Sequence, residues 1–196
     1  MMNIDKIKSA IVVTSEHFRR HPLKVLNEGD LVRFLCNQLE ARFPNEVRLS
    51  WNNNVYSTNR VHQEINTEGI VKKLGKRRKL DIAVLKDGHV ELVGWVFTKK
   101  TPSVTFKDEN LITAMEIKFY RTPERKKKLQ PAEKKSLELC IEKLECVKRC
   151  NKDVITALLI FSHSKLVFEE EIESLIKAAD IEIKEKIPSN VIYGMS

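Results

Sequence analysis

Asp81, Glu116 and Lys118 are the residues whose types and positions could do chemistry together. Asp81 lies in the run 79–85 and the other two lie in the run 111–120, and both runs are otherwise mostly apolar, which predicts two β-strands. A charged side chain in such a strand needs a reason, because burying an unpaired charge is expensive. Two carboxylates and a lysine on neighbouring strands would form a site for a hard divalent cation, as required for cleavage of a phosphodiester.

The spacing of Glu116 and Lys118 supports this interpretation. Because they are two residues apart in a strand, both point to the same face, while Ile117 points the opposite way, into the core. The alternative is an exposed sheet face with a same-strand ion pair, which stabilises by only about 0–1 kcal/mol. Asp81, in the middle of a second apolar strand, favours the site over that alternative.

The chain is strongly basic, with a net charge of +8 and a pI of about 9.3. This charge predicts a polyanionic partner, either nucleic acid or an anionic membrane surface, and favours nucleic acid. Basic clusters at 72–79 and 121–128 flank the proposed site in sequence, and each could contact phosphates or be a solvated loop. We expect the backbone contacts to come from Arg77, Arg78, Lys79 and Arg121.

Length and composition are those of one globular domain. The chain has 196 residues, of which 42% are hydrophobic and 32% charged. No apolar run approaches the roughly 20 residues that span a bilayer, and no secretory core follows the N-terminus, so we expect a cytoplasmic protein without a membrane partner. The four cysteines form no Cys-x-x-Cys pair, which favours reduced thiols over a zinc site.

Helix and strand patterns predict the elements that position these residues. Helices are expected at 3–20, from Asn27 as N-cap to 43, at 131–150 and at 168–179. Strands are expected at 47–51, 60–65, 79–85, 89–97, 111–120, 154–161 and 181–187. The Asp87-Gly88 turn predicts that 89–97 is the antiparallel partner of the Asp81 strand. This order predicts an α/β three-layer domain whose central mixed sheet is flanked by helices.

These elements, together with Glu28, Asp81 and Glu116-Ile117-Lys118, resemble the PD-(D/E)xK, or restriction-endonuclease-like, nuclease superfamily. The segment 76–84 is similar to the sequence around the first strand aspartate of that superfamily. Two features depart from its pattern. Leu80 stands where the motif has proline, and the long gap before Glu116 requires an inserted hairpin around 95–110.

The resemblance covers about residues 25–165 of what we expect to be a single domain, 1–196. An N-terminal helix at 1–24 precedes this restriction-endonuclease-like core, and a helix and strand at 166–196 follow it. The resemblance therefore accounts for most of the chain but for neither end.

The resemblance implies a role for each matching residue. Asp81 and Glu116 would bind Mg²⁺, with Mn²⁺ as a substitute, and the carbonyl of Ile117 would add a third oxygen. Lys118 would stabilise the attacking hydroxide or the transition state.

Two further carboxylates have two readings each. Glu28 is either a catalytic member of the site or a carboxylate favoured by the dipole at the start of its helix. Glu64 is either part of the metal environment or an exposed charge on a strand.

The expected activity is Mg²⁺-dependent hydrolysis of phosphodiesters in DNA. One alternative is a catalytically silent nucleic-acid-binding domain of the same fold, and another is a basic interaction module without a metal. Because members of the superfamily are often dimers, the resemblance also admits a homodimer.

Overall fold

A computed structural model describes residues 2–21, 24–25, 27–75, 78–97, 102–120, 128–162, 169–178 and 192–194. The helices in this part of the chain are α1 (Met2–Arg20), α2 (Glu28–Glu40), α3 (Glu68–Leu74), α4 (Pro131–Cys150) and α5 (Glu169–Ala178). The strands are β1 (Val47–Trp51), β2 (Asn54–Thr58), β3 (Val61–Thr67), β4 (Leu80–Leu85), β5 (His89–Phe97), β6 (Pro102–Phe106), β7 (Leu111–Tyr120), β8 (Ile155–Ser162) and β9 (Ile192–Gly194).

The described strands form one mixed sheet in the order β2-β1-β5-β6-β3-β4-β7-β8-β9. Strand β1 is parallel to β5, β3 to β6 and β7 to β8, and the other neighbouring pairs are antiparallel. Helices cover the sheet, which confirms the expected α/β fold with a central mixed sheet flanked by helices.

The part of the sheet that matters for the site is β3-β4-β7-β8. The first three strands pair antiparallel, and α4 then crosses over to place β8 parallel to β7. Such a parallel connection requires a long crossover, which α4 supplies. The neighbours of β4, and hence of Asp81, are therefore β3 and β7.

Two apolar clusters hold the layers together, one on each face of the sheet. On one face, Leu35 of α2 belongs to the same buried cluster as Ile117 of β7. On the other face, Leu137 and Leu144 of α4 cluster with Leu158 of β8. Since Ile117 belongs to the α2 layer, its neighbours Glu116 and Lys118 point towards α4.

The start of α2 is determined by local sequence, as predicted. The side chain of Asn27 accepts a hydrogen bond from the Asp30 amide at 3.1 Å, and the Asp30 carboxylate accepts one from the Asn27 amide at 3.2 Å. This capping box satisfies two amides that a helix start leaves unpaired. It also makes Glu28 the first residue of the helix.

The predicted partner of the Asp81 strand was wrong. Strand β5 follows the Asp87-Gly88 turn, where Gly88 has φ of +99°, but it pairs with β1 and β6 and not with β4. A tight turn reverses the chain without dictating the neighbour, and here β7 takes the place beside β4. The hairpin of β5 and β6 is the insertion that the long gap before Glu116 required.

Part of the predicted basic loop at 72–79 is helical. Thr67 caps α3, so that Lys72 and Lys73 lie on a helix and pair with Glu68 at 2.6 Å and Glu142 at 3.4 Å. The predicted helix at 168–179 is confirmed as α5, and the predicted strand at 181–187 lies outside the described residues. Strand β2 was missed, although a turn at Asn52 and Asn53 was expected, and both have positive φ.

Candidate functional site

Antiparallel pairing of β4 with β7 brings Asp81 and Glu116 together. Ile82 pairs with Met115 and Ala83 with Ala114. Continuing this register by one residue sets Asp81 opposite Glu116, on the face covered by α4. Residues opposite one another in neighbouring strands have their Cβ atoms about 4.5–5.5 Å apart.

Hydrogen bonds hold this carboxylate pair in place from both sides. The amide of Ile117 donates to Asp81 Oδ2 at 2.7 Å, and the amide of Asp81 donates to Glu116 Oε1 at 3.3 Å. Each carboxylate thus accepts from the other strand, which orients both side chains before any ligand arrives.

Glu116 carries the most unusual electrostatics of the site. Its side chain is 0% exposed, and burial, followed by repulsion from Asp81, raises its pKa to about 7. The ammonium of Lys143 opposes that rise. A cation bound beside Asp81 would favour the charged form of Glu116 in the same way.

Lys118 lies on the same face as Glu116 and contacts Glu28. Its Nζ is 3.2 Å from Glu28 Oε1 and 3.3 Å from Oε2, so the first residue of α2 meets the far end of β7. Burial by itself lowers the pKa of Lys118, but attraction by the Glu28 and Asp81 carboxylates and the hydrogen bond to Glu28 outweigh it and raise that pKa overall. The ammonium is therefore charged and held in one position.

Lys143 of α4 is a member of the site that the sequence analysis missed. Its Nζ lies 2.5 Å from Glu116 Oε2 and donates to the carbonyl oxygen of Lys79 at 2.6 Å. The signal was present in the sequence. Lys143 lies three residues after Cys140 and four before Val147, two residues of the buried stripe of α4, so a lysine there had to point inward.

The donor set fits a hard divalent cation. Asp81 and Glu116 supply carboxylate oxygens, and the buried Oε2 atom of Glu116 faces the Lys143 ammonium. No three His, Cys, Asp or Glu side chains in the described ranges gather as a metal-binding group. Two carboxylates, the Ile117 carbonyl and waters would therefore complete the shell, which suits Mg²⁺ because it keeps several waters.

Glu64 is held differently from the other predicted ligands. It has φ of +49° in β3, its side chain is 80% exposed, and its carboxylate lies 3.9 Å from the Nζ of Lys79. The geometry therefore shows it as a surface charge paired with a lysine at the start of β4. Its place in a metal shell stays a prediction.

The residues expected to contact a nucleic-acid backbone are only partly described. Arg78 is exposed and Lys79 is half-buried, immediately before β4 and close to Asp81 in sequence. Arg77 and Arg121 lie outside the described residues.

A cleft of about 420 Å³ opens beside Lys118. Its lining includes Glu28, Tyr120, Glu133 and Ser136, from α2, β7 and the first turns of α4. This volume is that of an ordinary ligand site. The cleft gives a ligand access to Lys118, which lies beside Asp81 and Glu116.

Comparisons with known proteins leave the assignment of this site to its geometry. No protein-family model matches the chain, and no curated protein matches it. Among solved structures, the chain is similar to the cAAA-bound form of NucC from P. aeruginosa ATCC27853, with 11% sequence identity and a TM-score of 0.43. That match covers 91% of this chain and 70% of the NucC chain.

No helix in the described part of the chain is long and apolar enough to cross a membrane.

Proposed function

We propose that this chain is a divalent-metal-dependent nuclease that hydrolyses phosphodiesters in DNA. One observation carries the proposal: the β4–β7 register sets Asp81 opposite Glu116, with the Lys118 ammonium further along the same face. A buried Glu116 carboxylate facing the half-buried Asp81, with a lysine beside them, is more than an ordinary sheet needs for stability.

The roles are those that the resemblance implies, and the closeness of Asp81 and Glu116 supports them. Asp81, Glu116 and the Ile117 carbonyl would hold Mg²⁺ or Mn²⁺. The bound cation would lower the pKa of a water and polarise the scissile phosphate.

Lys118 lies where its charge can stabilise the phosphate as negative charge builds up during attack. Glu28 fixes the position of that ammonium through its two carboxylate oxygens, and so acts on the reaction through Lys118. Both residues border the cleft, where a DNA backbone phosphate could meet the Lys118 ammonium.

The net charge of +8 supports a polyanionic substrate. Arg78 and Lys79, together with Arg77 and Arg121, would contact backbone phosphates and make binding salt-sensitive. We propose DNA as the substrate on this charge and on the resemblance given above, with hydrolysis as the reaction.

The Lys143–Glu116 ion pair favours a second candidate function. Because a buried lysine already neutralises Glu116, the fold is electrically satisfied without a metal, as a nucleic-acid-binding domain that does not turn over would need to be.

The test is cleavage of supercoiled plasmid and of single-stranded DNA in the presence of Mg²⁺, Mn²⁺ or EDTA. We expect metal-dependent cleavage that is lost in Asp81→Asn and retained in Asp153→Asn, a matched change at an exposed aspartate after α4. Cleavage that survives in Asp81→Asn would overturn the assignment. Salt-sensitive retention of DNA without cleavage under any metal would establish the silent binding domain instead.

A further inference from the structure

We infer that Lys143 is a built-in counter-ion that occupies the cation position of the site and must withdraw from Glu116 when a divalent metal binds. Lys143 thereby positions Glu116 in the metal-free protein and weakens metal binding. The inference rests on the proposed function, because it presupposes a cation between Asp81 and Glu116.

The carboxylate oxygens of Asp81 and Glu116 differ in what already contacts them. Glu116 Oε2 faces the Lys143 ammonium at 2.5 Å, and Glu116 Oε1 and Asp81 Oδ2 accept backbone amides. Three of the four oxygens therefore already have a partner. The Lys143 contact involves a movable side chain, whereas the two amides belong to the paired strands.

The Lys143 ammonium also limits the access of a cation to Glu116. Glu116 is 0% exposed and Lys143 is 7% exposed, so the ammonium lies between the carboxylate and α4 rather than in open solvent. A cation that binds Glu116 Oε2 directly must take the place of the ammonium. The long, unbranched side chain of lysine can make this movement by changing rotamers.

Lys143 also acts on the negative charge that Asp81 and Glu116 bring together. Glu116 and Asp81 repel each other, and burial strengthens that repulsion because the surroundings screen it weakly. Lys143 offsets it in the absence of metal, and its second bond to the Lys79 carbonyl anchors it there. A divalent cation would offset the same repulsion, so metal and ammonium compete for one position.

The matched control lies on the same helix. Lys148 also donates from α4 to a backbone carbonyl, that of Val154 at 2.8 Å, but its contact is with the start of the next strand and not with the carboxylate pair. Lys148→Met removes a second α4 lysine that also donates to a backbone carbonyl.

The experiment measures Mn²⁺ binding to the intact protein by the loss of the free-ion signal in electron paramagnetic resonance, in wild type, Lys143→Met and Lys148→Met. We expect Kd for Mn²⁺ to fall by about tenfold in Lys143→Met, since close charge pairs couple by 1.4 kcal/mol or more. Lys148→Met should bind as wild type does, and an added Asp81→Asn change should remove the gain.

The other possible Mn²⁺-binding results separate a failure of the inference from a failure of the proposed function. If wild type binds Mn²⁺ and Lys143→Met binds it equally or more weakly, the inference is wrong while the proposed function stands. If Mn²⁺ binds only after Lys143 is replaced, the inference is supported in its strongest form. If neither protein binds Mn²⁺, both proposals are overturned.

A second measurement guards against misfolding of Lys143→Met. Wild-type protein is acylated with an N-hydroxysuccinimide ester with and without Mn²⁺, and the labelled lysines are located by mass spectrometry. We expect Lys143 labelling to rise with Mn²⁺ while Lys148 labelling stays constant. Unchanged or reduced labelling of Lys143 would overturn the inference.

Discussion

Glu116 in β7 and Asp108, just ahead of that strand, are both buried carboxylates, but they lie in very different surroundings. Glu116 is 0% exposed and Asp108 is 5% exposed. Burial is the largest cause of a raised pKa in both. Burial alone therefore does not distinguish a candidate site from a structural carboxylate.

The hydrogen bonds of Asp108 come from amides and from Thr67, and the charged Glu68 and Lys72 also act on it. Its Oδ2 accepts the Gly69 amide at 2.8 Å, and its carbonyl oxygen accepts the Asn151 side chain at 2.9 Å. A Cβ at Gly69 would lie 2.8 Å from the Cys150 sulfur and 3.2 Å from Asp108 Oδ2, so a larger residue there would press on both side chains. Asp108 thus joins α3 to the end of α4.

Glu116 is surrounded by other charged side chains. Asp81 lies opposite it, Lys143 contacts it, and Lys118 lies two residues further along the same face. The two carboxylates differ in what contacts them directly: the Lys143 ammonium meets Glu116, whereas the backbone amide of Gly69 donates to Asp108. Direct contact with titratable side chains from several elements is what favours a site at Glu116.

Substitutions at Glu116 and at Asp108 should differ most in their effect on the rate of DNA cleavage. We expect Glu116→Gln to lower the rate of metal-dependent DNA cleavage by about 10³-fold, because a lost ligand removes several kcal/mol of charge stabilisation. Asp108→Asn, which keeps an oxygen acceptor for the Gly69 amide, should leave the rate per folded molecule unchanged. Equal losses in the two variants, measured on plasmid, would contradict the comparison.

Replacement of Lys118 should have the next largest effect on the cleavage rate. Replacement by methionine keeps the length of the side chain and removes its charge, so cleavage should slow by about 10²-fold, as for loss of one preorganised donor. Binding of Mn²⁺ should persist, because Lys118 is not a ligand. Lys135→Met, at an exposed position of α4, provides the control, and an undiminished rate in Lys118→Met would remove the lysine from the mechanism.

Replacement of Asp108 should lower the stability of the protein rather than its activity. Asp108→Ala leaves the Gly69 amide unsatisfied, which should lower the free energy of unfolding by about 1–3 kcal/mol in a urea titration. Asp153→Ala, at an exposed site in the turn before β8, should change it by less than about 0.5 kcal/mol. A stable Asp108→Ala variant would show that the carboxylate does not hold α3 in place.

The smallest expected effect is the pH dependence of stability in EDTA. The folded-state pKa of Glu116 is raised from 4.5 to about 7, so between these values the folded protein binds more protons than the unfolded chain. The free energy of unfolding should therefore fall as pH rises from about 5 to 7, by on the order of 1 kcal/mol from this group.

Glu116→Gln should remove that contribution, and Glu138→Gln, at an exposed position of α4, should retain it. The measurement is urea unfolding at several pH values. A slope that persists unchanged in Glu116→Gln would show that Glu116 is not the group responsible.

Local patterns predicted much of the fold. The N-cap at Asn27, the proline that begins α4 and the opposite facing of Ile117 and Glu116 in β7 each depend on residues a few positions apart, and each was confirmed. The partner of β4 could not be predicted in this way, because a hairpin turn constrains the chain only over its own few residues. In the folded protein β7 lies beside β4 and also packs against α4 and β8.

The candidate site divides in the same way. The sequence by itself determined that Glu116 and Lys118 share a face and that Ile117 enters the core, because a strand alternates with a period of two. Only the tertiary structure decided that Glu28 meets Lys118 from 90 residues away and that Lys143 contacts Glu116. Such contacts depend on how whole helices pack across the sheet, and the local period of a sequence does not contain that information.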